Sequence, residues 1–204
     1  MKAVAISTLV VLSAAIISAA EPTLTKEERD HALQLLVDSQ AEFLNLTSGL
    51  NESQWNYKPA PDRWSVGETA QHIVLAEGAL FSKLEEAITS APNPDWEAKT
   101  AGKTEFIERV MPDRSHKAQA PEPLQPHDHW TREETIAKYK ETRARTLKIL
   151  NDPDAPLKNH TSEHPFPVFG TLNAYQWLIY IPLHNVRHNQ QIAEVRNSPG
   201  FPKP

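Results

Sequence analysis

Apolar residues recur along this chain at intervals of three and four, in four long runs separated by polar and proline-rich stretches. That spacing predicts helices rather than strands. In the first run, residues 26–50, Leu33, Leu36, Val37, Phe43, Leu44 and Leu50 share a face. In the second, residues 66–90, the stripe is Val66, Ala70, Ile73, Val74, Leu80, Phe81, Leu84 and Ile88. The third, residues 132–150, carries Ile136, Tyr139, Leu147 and Leu150, and the fourth, residues 172–196, carries Trp177, Ile181 and Val195. Start signals agree with these boundaries. Thr25 with Glu28, Ser65 with Glu68 and Thr131 with Glu134 each have the capping-box spacing, in which side chains satisfy two otherwise orphaned backbone donors. Gly49 helps to stop the first helix, and Asn151, Pro153 and Pro156 end the third. Pro182 lies inside the fourth, where it removes a backbone hydrogen bond and is expected to kink the helix two residues before His184.

The connections are long and stiff. Residues 51–64 contain Trp55, Tyr57, Pro59 and Pro61, and their aromatics are expected to lie back on the helices. Residues 92–130 hold six prolines and one short helical stretch near 104–110, which reads as an excursion over one end of the assembly. A second proline-rich loop precedes the last helix. Its strand-like segment Phe166-Pro-Val-Phe169 is demoted by its proline. The fold class that follows is all-α, a four-helix bundle with long proline-rich connections.

Composition narrows the function. Of 204 residues, 17 are proline and none is cysteine, so disulfides, a thiol nucleophile and thiolate metal ligands are all excluded. The formal net charge of −5 with no basic block argues against a nucleic-acid partner. Residues 1–20 read as a secretory signal peptide. Lys2 precedes an uncharged apolar run at 3–17, and Ser18-Ala19-Ala20 offers small residues for cleavage. The run is too short for a confident membrane span, so no stable span is expected after cleavage. Residues 21–204 then form a single bundle domain, exported to a periplasmic or extracellular location. An exposed apolar seam on such a bundle would make it a homodimer.

The candidate chemistry lies in Pro182-Leu-His184-Asn-Val-Arg-His188-Asn-Gln-Gln191. Histidines four residues apart present both rings on one helix face. Trp177, Ile181 and Val195 fall within about 60° of His184 on a wheel of about 3.6 residues per turn, so the pair sits in a core-facing stripe where an unpaired polar ring is costly. A metal ion would satisfy them, because two neutral imidazoles on a rigid helix form a ready clamp. Hydrogen bonds to Gln191, Tyr180 or the backbone would also satisfy them. His72 is the histidine of the second helix and the natural third ligand, since bundle metal sites draw on facing helices. The competing reading of His72 is a surface residue beside Glu68, and helical periodicity leans that way. Its neighbours Thr69, Ala76 and Ala79 make a face of small residues, suited either to solvent or to close approach. Glu77 projects away from His72, and Glu68 is committed to its cap, so no carboxylate stands out as a general base. His129 and His164 are candidate fourth ligands.

These residues carry a resemblance. Trp64-Ser-Val-Gly-Glu-Thr-Ala-Gln-His72-Ile-Val-x-x-Glu77, followed far downstream by His184-x-x-x-His188-x-x-Gln191-Ile192, resembles the DinB/YfiT-like superfamily of bacterial metal-binding four-helix bundles. Gly49-Leu-Asn-Glu-Ser-Gln-Trp55 and Pro59-Ala-Pro-Asp-Arg-Trp64 are similar to that family as well. The resemblance implies a divalent metal held by three histidines, mapping to His72, His184 and His188. It implies a metal-dependent hydrolase or group transferase acting on a small molecule, with zinc, nickel or iron as the ion. The export signal sets this chain apart from the thiol-dependent transferases of the family, whose bacillithiol, mycothiol or glutathione would be scarce outside the cytoplasm. The second expectation, from a different class, is a non-catalytic exported bundle whose metal is structural or whose cavity binds a ligand without turning it over.

Overall fold

A computed structural model describes residues 21–115 and 119–203, so the expected signal peptide lies outside the described residues. In chain order the elements are α1 (Lys26–Thr47), α2 (Glu52–Trp55), α3 (Val66–Thr89), α4 (Trp96–Thr100), α5 (Lys103–Val110), a 3₁₀ turn (Glu122–Leu124), α6 (Arg132–Asn151), β1 (Thr161–Glu163), β2 (Thr171–Asn173) and α7 (Ala174–Arg196). Helices α1, α3, α6 and α7 form the four-helix bundle. Both α1 and α3 pack against α6 and α7, which puts α1 diagonally across from α3 and α6 diagonally across from α7. Among the described residues no helix is long and apolar enough to cross a membrane.

Each of the three expected capping boxes is formed. Two more, Asn51 with Gln54 and Asn173 with Gln176, start α2 and α7 with amide side chains in both roles. Gly49 takes φ 67°, the left-handed conformation that ends a helix. The α2 turn tucks Trp55 beneath the start of α3, where a Cβ at Gly67 would meet the indole Nε1 at 2.5 Å. Glycine there allows the connector's tryptophan to be buried, as expected of its aromatics. Helix α7 runs on through Pro182 without interruption.

The segment demoted as a strand is the turn of a small hairpin. β1 and β2 flank it, paired antiparallel with Ser162 opposite Leu172. Gly170 at φ 59° helps to close the turn.

The core is divided. One apolar cluster gathers Leu36, Leu84, Ile107, Leu150, Trp177 and Ile181, and the other Phe43, Trp55, Ile73, Tyr139, Ile192 and Val195. Between them lies a polar layer drawn from all four long helices. Arg143 of α6 pairs with Glu77 of α3, both fully buried. Arg143 also donates to Leu36 O at 2.6 Å and Ser39 Oγ at 2.8 Å on α1, and to Asn185 Oδ1 at 3.0 Å on α7. Tyr139 donates to the same Asn185 oxygen at 2.7 Å, and Asn185 donates to Asn189 Oδ1 at 3.1 Å. Asn189 donates in turn to Ser39 O at 2.9 Å. Leaving buried polar groups unpartnered is costly, and because these bonds join all four helices the layer fixes their relative register.

Candidate metal centre

The tandem His184-Asn185-Val-Arg-His188-Asn189 places two pairs at i, i+4 on α7, one residue out of step. A step of one residue turns about 100° around a helix. The asparagine pair therefore enters the polar layer, while the histidine pair faces a cavity between α7 and α3. His72 meets them from α3. Ligand atoms of the three rings all lie within 4.8 Å of one another. His72 is buried at 3% exposure, so the surface reading suggested by periodicity is wrong for it. Periodicity placed it off the apolar stripe because the face it shares with Ala76 and Ala79 opens on the cavity rather than on the core.

Hydrogen bonding fixes what two of the rings present. His72 Nδ1 lies 2.7 Å from the Leu124 carbonyl, which can only accept, so this nitrogen carries the proton. His188 Nδ1 lies 3.0 Å from Gln191 Oε1. Arg114 Nη1 donates to the same oxygen at 3.3 Å, which orients the amide. His188 Nδ1 is therefore the donor there. Burial lowers the pKa of His72, and burial together with the neighbouring histidines holds His184 and His188 well below the usual imidazole value. With both rings neutral and protonated on Nδ1, the Nε2 atoms of His72 and His188 turn lone pairs toward each other at 3.2 Å. His184 Nε2 stands 3.2 Å from His188 Nε2. Facing lone pairs repel, and burial disfavours a shared proton. A divalent cation suits such a donor set, and Nδ1 hydrogen bonds of this kind orient metal-binding imidazoles.

The excursion at residues 92–130 runs along α7, from Thr100 at Gln176 near its start to Arg114 at Glu194 near its end, rather than over one end of the bundle, and it supplies the outer contacts. Its 3₁₀ turn brings the Leu124 carbonyl to His72. Ahead of that turn, Arg114 grips Glu194 of α7 with Nε at 3.0 Å and Nη2 at 2.8 Å, and so reaches Gln191. Trp64 rests its indole 5.0 Å from the His72 ring. The cavity measures about 910 Å³, and Tyr180, His184, Arg187 and Gln191 share its α7 wall. That volume is at the upper end of the range for small-molecule sites.

The remaining histidines separate. His164 reaches the cavity wall, although it is not one of the three clustered rings. His129 is exposed and His127 bonds back to the Glu122 carbonyl at 3.1 Å. His31 bridges to Glu108 at 2.6 Å, far from the site. Glu77 points into the polar layer, as its wheel position required. Leu124 and Arg114 could not be found from sequence spacing, since a backbone carbonyl and a loop arginine carry no periodic signal.

A DinB superfamily profile matches residues 35–192, and the chain belongs to that superfamily. It is 27% identical over 167 residues to YuaE of Bacillus subtilis (strain 168), described as uncharacterized, covering 80% of this chain and 96% of YuaE. Among solved structures it is similar to YfiT from Bacillus subtilis, described as a probable metal-dependent hydrolase with an unusual four-helix bundle topology. That superposition has a TM-score of 0.56 at 16% identity and covers 91% of this chain and 97% of YfiT. At this identity the likeness to YfiT is one of fold.

Proposed function

From its place in the DinB superfamily we infer that this chain is an exported, divalent-metal-dependent enzyme acting on a small molecule by hydrolysis or group transfer. The observation that carries the reading is the pair of neutral imidazoles, His72 and His188, with Nε2 lone pairs converging at 3.2 Å. His72, His184 and His188 would hold the ion. A zinc, nickel or iron ion so held supplies Lewis acidity and lowers the pKa of water that reaches it.

The chain's own residues do the rest. Leu124 O and Gln191 keep the Nδ1 protons of His72 and His188 in place, so that these two rings present Nε2 inward beside that of His184. Tyr180 and the small side chains of Ala76 and Ala79 give the cavity a substrate-sized apolar portion. Glu194 lines the cavity but is held by Arg114 and Arg63, so its carboxylate serves to anchor the excursion. Structural metal sites are usually closed by four protein ligands, whereas three protein ligands leave a position for substrate. The cluster among the described residues has three, which supports the catalytic reading over the structural one.

The test is metal content by mass spectrometry on untagged protein purified without chelator. About one ion per chain is expected in the wild type, with loss in each of His72→Ala, His184→Ala and His188→Ala. Chelator-sensitive turnover of a small ester, amide or lactone would then establish the reaction class. Absence of metal, with reconstitution also failing, refutes the reading.

A further inference from the structure

His164 is held in one tautomer. It follows β1, and its own N–H donates to Gly170 O at 2.9 Å across the hairpin. The ring lies parallel to the Trp177 indole, 5.0 Å away at 8°, with Tyr180 at 5.4 Å. The Phe166 N–H donates to Nδ1 at 2.9 Å. That nitrogen therefore carries a lone pair, and a neutral ring must keep its proton on Nε2. Burial pushes the pKa of His164 down to about 4, so the ring is neutral at pH 7. Nε2 is not sealed from solvent and has no partner among the described residues. A fixed N–H donor thus borders the cavity. Trp177 precedes His184 by seven residues, which places the donor about two helical turns, roughly 10 Å, from the clustered rings.

The surroundings indicate what that donor meets. Ala76, Ala79 and Leu80 of α3 form an apolar wall, and Tyr180 contributes to the wall on α7. Phe166 is 49% exposed at the edge of the cavity, its ring 5.5 Å from that of His164, and adds apolar surface there. The charged side chains of the lining are Arg63, Lys83, Arg114 and Arg187 against Asp62 and Glu194, a positive balance in a chain of net charge −5. An ammonium offers nothing to an N–H donor and is repelled by that balance. A carboxylate is favoured on both counts.

We propose that His164 is a specificity-determining residue, its Nε2–H donating to the carboxylate of a small molecule whose flat apolar body lies between the α3 wall and Tyr180. The proposal rests on the cavity being the substrate site of the metal-dependent enzyme inferred above.

Phenylacetate is the probe and phenylethylammonium the control of opposite charge. Both are titrated by calorimetry into zinc-reconstituted and chelator-treated full-length protein. Nitrogen-15 spectra tuned to two-bond couplings read the His164 tautomer in the wild type. The expected results are a proton on Nε2 at pH 7, a shift of that nitrogen with phenylacetate, and binding weakened about tenfold or more in His164→Phe. His164→Phe keeps a ring on Trp177, and its metal content should be unchanged. A proton on Nδ1, equal affinity in His164→Phe, preference for phenylethylammonium, or no binding of phenylacetate overturns the proposal. The two inferences fail separately. Metal-loaded protein that ignores phenylacetate removes the role of His164 alone. Protein that carries no metal as purified and cannot be reconstituted, yet binds phenylacetate through His164, removes the metal reading alone.

Discussion

Arg143 and Glu77 meet in the middle of the bundle with relative exposures of 0% and 1%, each the other's counter-ion. Burial raises the pKa of Glu77, while the guanidinium and the Thr142 hydroxyl, 3.2 Å away, favour its ionised form. Removing one member of such a pair strands the other. Arg143→Met should therefore destabilise the protein by about 3–5 kcal/mol, whereas Arg143→Met combined with Glu77→Met should recover much of that loss. Denaturant unfolding of the two variants checks this. A double variant no more stable than the single one would show that the hydrogen bonds to Leu36, Ser39 and Asn185 matter more than the charge pair.

Gln191 links the inner and outer parts of the candidate site, accepting from His188 Nδ1 and from Arg114 Nη1 through one oxygen. Gln191→Leu frees the His188 ring to rotate and to exchange tautomers while leaving all three histidines in place. Metal affinity should fall about 10–100-fold, with the helical circular dichroism unchanged. Competition with a coloured chelator measures it. An affinity equal to wild type would mean that packing alone orients His188.

Acid should weaken the chelator-treated protein partly through His164. Its pKa of about 4 lies below the unfolded value near 6.5, so between these limits the unfolded chain binds more protons than the native one. The resulting stability is fully present above about pH 6.5 and is lost as pH falls toward about 4. His72, His184 and His188 contribute with the same sign, because their pKa values are lowered too. Urea midpoints from pH 4 to 7 should therefore fall less steeply for His164→Phe than for the wild type. Parallel curves would show that the ring is not neutral in the native state.

The bundle was legible because its signals are local. Three capping boxes and four apolar stripes mark helices whichever way the helices are arranged. The diagonal placement of α1 and α3 was not legible, because periodicity gives each helix a buried face without naming what covers it. The same limit applied to His72. A residue on a cavity face is as buried as one on a core face but falls outside the apolar stripe, and it was the resemblance that brought it to His184 and His188. Asn185 and Asn189 stood in plain view beside the histidines. Their role required Arg143 and Glu77, two charged residues that composition assigns to the surface. The hairpin was missed because strands of three residues are too short to establish an alternation. The amide capping boxes of α2 and α7 had the right spacing with Asn and Gln in place of Thr or Ser and Glu.

The three clustered rings stand on two bundle helices locked by the polar layer, whereas the groups that steer them from outside, the Leu124 carbonyl and Arg114, belong to a proline-rich connector. Ile107 and Met111 of this connector belong to the apolar core, whereas Arg114 and Leu124 lie beyond them. Changes confined to residues 112–130 would redraw the mouth of the cavity around an unchanged trio of imidazoles. A scaffold divided in this way can diversify what it admits by exchanging one cover, while the invested precision of its interior is inherited intact.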